Sequence, residues 1–284
     1  MRQVPALTLV IVVDNASGPE TAAVLARFPK VLIVRLEGDV DGAGGFTAGL
    51  EAALDQHMDW LWLMDDDGRP QRSDCLARLR MTAGCYGAGM VGPLVLDMSD
   101  PRQLAFPIRR RGRTSFLAAD IREPVLGFAH LFNGALISTG LFRRIGLPDP
   151  RFFIRGDEVE FMLRAKRGTE SILIDPGAPF LHPGSTSEIH PIFGGLFYAV
   201  MPSDPVKQFY QFRNRGFIFR HYRMWAWLAA DFIRYAYLFL ISRHLDVRGW
   251  RDWLRATAQG VSGGFMTTAP KPMPQVAQRL STVC

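Results

Sequence analysis

A chain of 284 residues, 48% hydrophobic and 21% charged, carries ample apolar material for one large core and shows none of the repeats or low-complexity tracts of a solenoid or a disordered protein. Its three cysteines, Cys75, Cys85 and Cys284, form neither a metal-ligand spacing nor an even-numbered framework, which excludes a disulfide scaffold and points to a reducing cytoplasm. The net charge of +6 is uneven, with basic clusters at 109–113 and 213–255 that suit nucleic acid, anionic lipid or a phosphorylated substrate.

In chain order, LTLVIVV (7–13) is a continuous β-branched run, as expected of a strand buried on both faces; it ends in Asp14 and Asn15 without a signal-peptide cleavage pattern. The turn DNASGPE and a helical stretch to Phe28 follow, then a second strand, VLIVRL (31–36). The glycine-rich DGAGGF (41–46) reads as a loop opening a helix over about residues 47–57, and WLWLM (60–64) as a third strand. Strands alternating with short helices predict an α/β fold with a doubly wound, mostly parallel sheet, whose ligands bind beyond the carboxyl ends of the strands. Asp14 and the triplet Asp65, Asp66 and Asp67 both sit at such ends, so they are expected to converge.

Later elements are LFNGALIS (131–138) as a strand, a helix ending near IGLPDP (145–150), and FFIRGDEVEFMLRAKRG (152–168) as a strand end, turn and helix. SILID (171–175) and APFLHPGS (178–185) read as two further pieces. From Pro205 the pattern turns helical, aromatic and basic, dividing the chain into an α/β domain (1–204) and a helical, membrane-proximal region (205–284). Its most apolar stretch, 224–241, is interrupted by Asp231 and Arg234, which favours a helix lying on a surface over one crossing a bilayer.

Three adjacent carboxylates oppose one another's ionisation, so the triplet is either a solvated turn or a cation site. In an extended chain Asp65 and Asp67 point the same way and Asp66 the other, an arrangement whose oxygens suit magnesium or manganese. GDEVE (156–160) supplies a second acidic group: Asp157 suits a helix N-cap, Glu160 and Arg164 a helix-face pair, and Glu158 is left as a candidate general base. His182, between a strand and a Pro-Gly turn, is either structural or a neutral metal ligand. The glycine-rich run lacks the dinucleotide-binding spacing, and the arginines at 109–113 suit a solvated face better than an anion site.

In this order, VVDN, GAGGF, the DDD-terminated strand, FNGALI, FIRGDEVE and LHP resemble a family 2 glycosyltransferase with the GT-A fold. DPRQLAFPIRR (100–110), LHPGSTSEIHPIFGG (181–195) and QFYQFRNRG (208–216) are similar to the actinobacterial galactofuranosyltransferases that initiate cell-wall galactan synthesis. The resemblance implies a metal-dependent, inverting hexosyltransferase moving galactofuranose from UDP-galactofuranose to a polyprenyl-diphosphate-linked disaccharide. It would work peripherally on the inner face of the cell membrane, with Mn2+ or Mg2+ and no nucleic-acid partner. Position by position, it implies donor contacts from Asp14, Gly44, Gly45, Asp65 and Asp66, a metal on Asp65, Asp67 and His182, and catalysis by Glu158 beside Asp157.

Two departures accompany it. Asp39 and Asp41 put extra negative charge beside the glycine-rich segment, and the family's first strand and helix are expected before VVDN, where this sequence has only a few residues. The competing expectations are a rhamnosyltransferase using dTDP-rhamnose, a sugar nucleotidyltransferase, and a catalytically impaired transferase serving as a membrane-surface module. The nucleotidyltransferase should carry a basic, glycine-rich loop after its first strand, and none is visible.

Overall fold

The structure is a computed structural model that describes residues 9–110, 112–168 and 170–263. Its elements are β1 (Val10–Asp14), α1 (Pro19–Leu25), β2 (Val31–Arg35), α2 (Asp41–Leu54), β3 (Trp60–Met64), β4 (Arg69–Pro70), α3 (Cys75–Tyr86), β5 (Met90–Asp97), β6 (Gln103–Arg110) and β7 (Arg113–Leu117). They continue with β8 (Val125–Leu126), β9 (Asn133–Ser138), α4 (Thr139–Ile145), α5 (Asp157–Arg167), β10 (Ile172–His182), β11 (Ile189–Ile192), β12 (Phe197–Val200), α6 (Pro205–His221), α7 (Trp225–Ala236) and α8 (Val247–Ser262).

The central sheet has the order β3-β9-β5-β10-β4. β5 and β10 pair parallel, and β9 pairs antiparallel with both β3 and β5. Three of the four long central strands therefore run one way, and their carboxyl ends share one edge of the sheet. The core beneath them gathers Met90, Leu104, Leu131, Ile137, Leu141, Phe161 and Ile174, all fully buried. The arginine cluster lies at the tip of the β6–β7 hairpin, where Arg110 faces Arg113, and Arg111 falls outside the described residues.

β1 and β2 form a separate parallel pair held by α2, and no ladder joins them to β3 among the described residues. Pairing on a single edge explains why β1 departs from the expected burial on both faces: Val10 is 43% exposed and only Asp14 is fully buried. α1 buries none of its residues. Leu7 and Thr8 fall outside the described residues.

Two other expectations are corrected. DGAGGF is not a loop, because α2 begins at Asp41, and Gly44 and Gly45 are buried in its opening turns; a Cβ at Gly44 would sit 2.5 Å from Val40. SILID and APFLHPGS are not separate pieces, because β10 joins them over Ile172–His182 with a bulge between Asp175 and Pro179. The bulge is held by Asp175, whose carboxylate accepts from Thr82 Oγ1 (2.6 Å), Arg78 and the Gly177 N–H.

The helical layer begins at Pro205, capped by Asp204, whose side chain accepts the Lys207 N–H. α6 and α8 approach closely enough that a Cβ at Gly260 would collide with the Arg213 carbonyl at 1.8 Å. Tyr235, Phe239 and Trp253 close a second apolar cluster there.

Candidate active site

β3 and β10 deliver Asp65 and His182 to the same edge, and β9, running the other way, begins there at Asn133. Asp65 leaves β3 with its N–H on the Phe132 carbonyl (2.8 Å). The chain then turns, and β4 pairs antiparallel with Phe180 and Leu181, which brings Asp67 against His182. Gly68 permits that fold, since a Cβ there would lie 2.6 Å from the Phe180 ring.

One ligand atom each from Asp65, Asp67 and His182 lies within 4.8 Å of the others, with His182 Nε2 3.1 Å from Asp67 Oδ1. Asp66 is exposed and outside this group. His182 Nδ1 lies 2.8 Å from the Pro183 carbonyl, which can only accept, so Nδ1 carries a proton and Nε2 is turned toward the carboxylates. Asp65 is pushed up to about 7 by burial first, then by Asp67, Asp66 and Asp157. The cluster is short of positive charge.

Glu158 lies in the first turn of α5, its carboxylate accepting the Leu131 N–H. Burial pushes it up to about 8, with Asp157 and Asp65 adding to the rise and the Leu131 N–H opposing it. Asp157 is raised to about 6, again chiefly by burial, with Asp41 among its like-charged neighbours. Asp157 is not the N-cap its residue type suggests; Gly156 holds that position and Asp157 is the first helical residue. Glu160 does pair with Arg164 (2.8 Å), and both it and Asp157 are buried.

The start of α2 meets the same place, the Ala43 N–H donating to the Phe153 carbonyl (3.2 Å). Asp14 is buried at the end of β1, accepting from the Ser17 N–H and from Arg35 Nε (both 2.9 Å). Burial alone would raise its pKa, and these bonds together hold it below the usual carboxylate range. Asn15 binds the segment that follows β2, donating to Asp39 (2.8 Å) and accepting the Val40 N–H (3.0 Å). The extra charge of Asp39 is thereby hydrogen-bonded by Asn15 from the neighbouring turn, and by the Asp41 N–H in its own loop.

Sequence reasoning assigned no role to several residues that the fold brings to the site. Asn214, wholly buried on α6, donates its amide to the carbonyls of Phe152 (3.0 Å), Ile154 (3.1 Å) and Arg155 (2.6 Å). It thereby holds a segment in which Phe153 and Arg155 both have φ of 65° and Gly156 has φ of 93°, a left-handed path costly for non-glycine residues. His130, buried between Phe128 and Phe106 and lowered to about 4 by burial and by His182, is neutral. Phe106 in turn packs on His182 (5.1 Å between centroids). Asn133 Oδ1 is buried with no hydrogen-bond partner. The FRNRG stretch was the only advance signal, and nothing in it says which carbonyls an asparagine sixty residues downstream will reach.

A carboxylate pair and an imidazole beside a buried Glu158, at the carboxyl edge of an α/β sheet, is an arrangement suited to group transfer from a phosphorylated donor. Residues 5–136 match the sequence profile described as Glycosyl transferase family 2. The chain is 37% identical over 259 residues to the galactofuranosyltransferase GlfT1 of Mycolicibacterium smegmatis, covering 88% of this chain and 85% of that protein. It is 38% identical to GlfT1 of Mycobacterium tuberculosis, covering 88% and 84%. Among solved structures, GalNAc-T7 with UDP, GalNAc and Mn2+ superposes with a TM-score of 0.51 at 13% identity, over 74% of this chain and 41% of that one, a likeness of fold alone. The sheet is of the GT-A type, and the chain belongs to the family 2 glycosyltransferases.

Proposed function

We propose that this glycosyltransferase moves galactofuranose, with inversion, from UDP-galactofuranose to a polyprenyl-diphosphate-linked disaccharide in cell-wall galactan synthesis, as a peripheral enzyme on the inner face of the cell membrane. The observation that carries the reading is the meeting of Asp65, Asp67 and His182 with Glu158, in a chain 37% identical to a galactofuranosyltransferase.

Two carboxylate oxygens and one imidazole nitrogen suit Mn2+ or Mg2+, and the Pro183 carbonyl orients the imidazole as a ligating histidine requires. An ion held there supplies positive charge opposite a departing diphosphate. The rest is the work of side chains. Asp14, braced by Arg35, borders the nucleoside, and Asp66 borders the sugar phosphate. Gly44 and Gly45, buried in the opening turns of α2, border the donor, while Gly49 further along lets that helix approach Val13 of β1. The Leu131 N–H holds one oxygen of Glu158 and leaves the other to take the acceptor's hydroxyl proton. As that O–H bond breaks, the oxygen bonds to the anomeric carbon from the face opposite UDP, and the bond to the diphosphate oxygen breaks with its electron pair.

The test is incubation with UDP-galactofuranose and a synthetic polyprenyl-diphosphate disaccharide, with and without Mn2+, and with dTDP-rhamnose in parallel. Mn2+-dependent product with inverted anomeric configuration, read by NMR, is expected. A preference for dTDP-rhamnose would move the reading to a rhamnosyltransferase. A folded protein that turns over neither donor would favour a non-catalytic surface module.

A further inference from the structure

α7 is inside out. Its charged residues point into the protein: Asp231 is 3% exposed and is bound by Arg215 from α6 (2.7 and 3.0 Å) and by Arg234 (2.9 Å). Tyr235 and Leu228 pack inward, but several of its other apolar residues point to solvent. Trp225, Phe232 and Ile233 are 53%, 49% and 57% exposed, Ala229 lies on the same face, and Ile241, in the π-helical turn that continues α7, is 61% exposed. Leu245 and Val247, just beyond, are also bare. A helix on a water-facing surface does the reverse, with its apolar stripe inward and its charges outward.

The surroundings decide what the face meets. Between residues 205 and 262 ten lysines and arginines stand against three aspartates, one of them the buried Asp231. Arg223 and Arg243 bracket α7 and its π-helical turn in the chain, and Arg248, Arg251 and Arg255 are exposed on α8, whose Trp250 and Trp253 pack on Phe232. A second copy docking through this face would oppose one arginine rim with another, whereas an anionic bilayer complements both the apolar centre and the basic rim. Among the described residues no helix is long and apolar enough to cross a membrane.

We infer that the outward face of α7, with the π-helical turn after it, is the surface by which this protein seats itself in the headgroup layer of an anionic bilayer. Arg220 and Arg234 lie outside that contact: Arg220 bonds the carbonyls of Val261 and Ser262 at the end of α8, and Arg234 is turned inward. The inference deepens the proposed peripheral attachment and rests on it only for where the acceptor lies. Through Asn214 the same helical layer grips the segment leading to Glu158, so seating α7 would set the catalytic edge at a defined height above the lipid.

The experiment is substrate-free flotation of the full chain on phosphatidylglycerol–phosphatidylcholine vesicles and on phosphatidylcholine alone, across a salt series. The wild-type chain should float with the anionic vesicles and be released by salt. Ile233→Glu with Ile241→Glu, two exposed positions, should weaken that binding more than about tenfold while thermal stability and Mn2+-dependent UDP binding stay unchanged. Undiminished flotation of the double variant overturns the inference, as does a wild-type chain that ignores anionic vesicles at low salt. So does a concentration-dependent dimer that the double substitution abolishes, because the face would then be an interface between copies. Since no sugar donor is present, a wrong donor assignment leaves this result untouched.

Discussion

Replacing Asn214 by Ala tests whether the helical layer sets the catalytic geometry. Two N–H bonds of the wholly buried amide serve three carbonyls, those of Phe152, Ile154 and Arg155. Removing it strands at least two of these acceptors at about 1–3 kcal/mol each, or roughly 2–6 kcal/mol in all. At about 2 °C per kcal/mol for a chain of this size, the melting temperature should fall by roughly 4–12 °C and leave a folded protein. The left-handed residues Phe153 and Arg155 then lose their clamp, and relaxation there shifts Glu158, which begins only three residues beyond Arg155. A displacement near 1 Å at a catalytic group costs about 100-fold in kcat. Calorimetric titration with UDP and Mn2+ should still give a dissociation constant close to wild type, because Asp65, Asp67 and His182 are held by β3, β4 and β10 rather than by α6. Asn214→Asp, which turns a carboxylate on the same carbonyls, should lose at least as much activity as the alanine. A folded Asn214→Ala enzyme with wild-type kcat would refute the positioning argument, whatever its melting temperature.

Asp67→Asn should abolish metal-dependent turnover while leaving the fold intact, because its side chain is 52% exposed; near-normal rates with Mn2+ or Mg2+ would remove it from the metal site. Glu158→Gln should leave UDP binding intact and lower kcat by about 100- to 10,000-fold, and if Asp157→Asn were the dead variant and Glu158→Gln active, the base would be the other member of the pair. In the metal-free protein, Asp157, Asp65 and Glu158 are raised to about 6, 7 and 8. The stability they contribute is complete below the ordinary carboxylate range and is lost as pH rises through those values. Scanning calorimetry in chelator should therefore show the melting temperature falling from pH 5 to 8, with stabilisation by Mn2+ growing over the same interval; a flat profile would count against the buried carboxylate cluster.

Local chemistry made much of this protein legible from its residues alone. WLWLM reads as β3 because a short apolar run between turn signals, stopping at three carboxylates, fits a strand emerging at an edge, and Asp14, Asp65, Asp67, Glu158 and His182 were named as candidates from residue type and neighbours. Pairings between distant segments had to wait for the fold. That Asp67 meets His182 depends on β4 finding β10 across more than a hundred residues, and that Glu158 is held depends on a backbone N–H at Leu131, which no side-chain pattern records. DGAGGF was misread because glycines signal loops locally, yet here they sit in the opening turns of α2, where only Gly44 is closely met, by Val40 just before the helix. α7 makes the same point most sharply: composition revealed an apolar stretch broken by Asp231 and Arg234, but only Arg215, sixteen residues earlier on α6, decides that those charges turn inward and the tryptophan and isoleucine turn out.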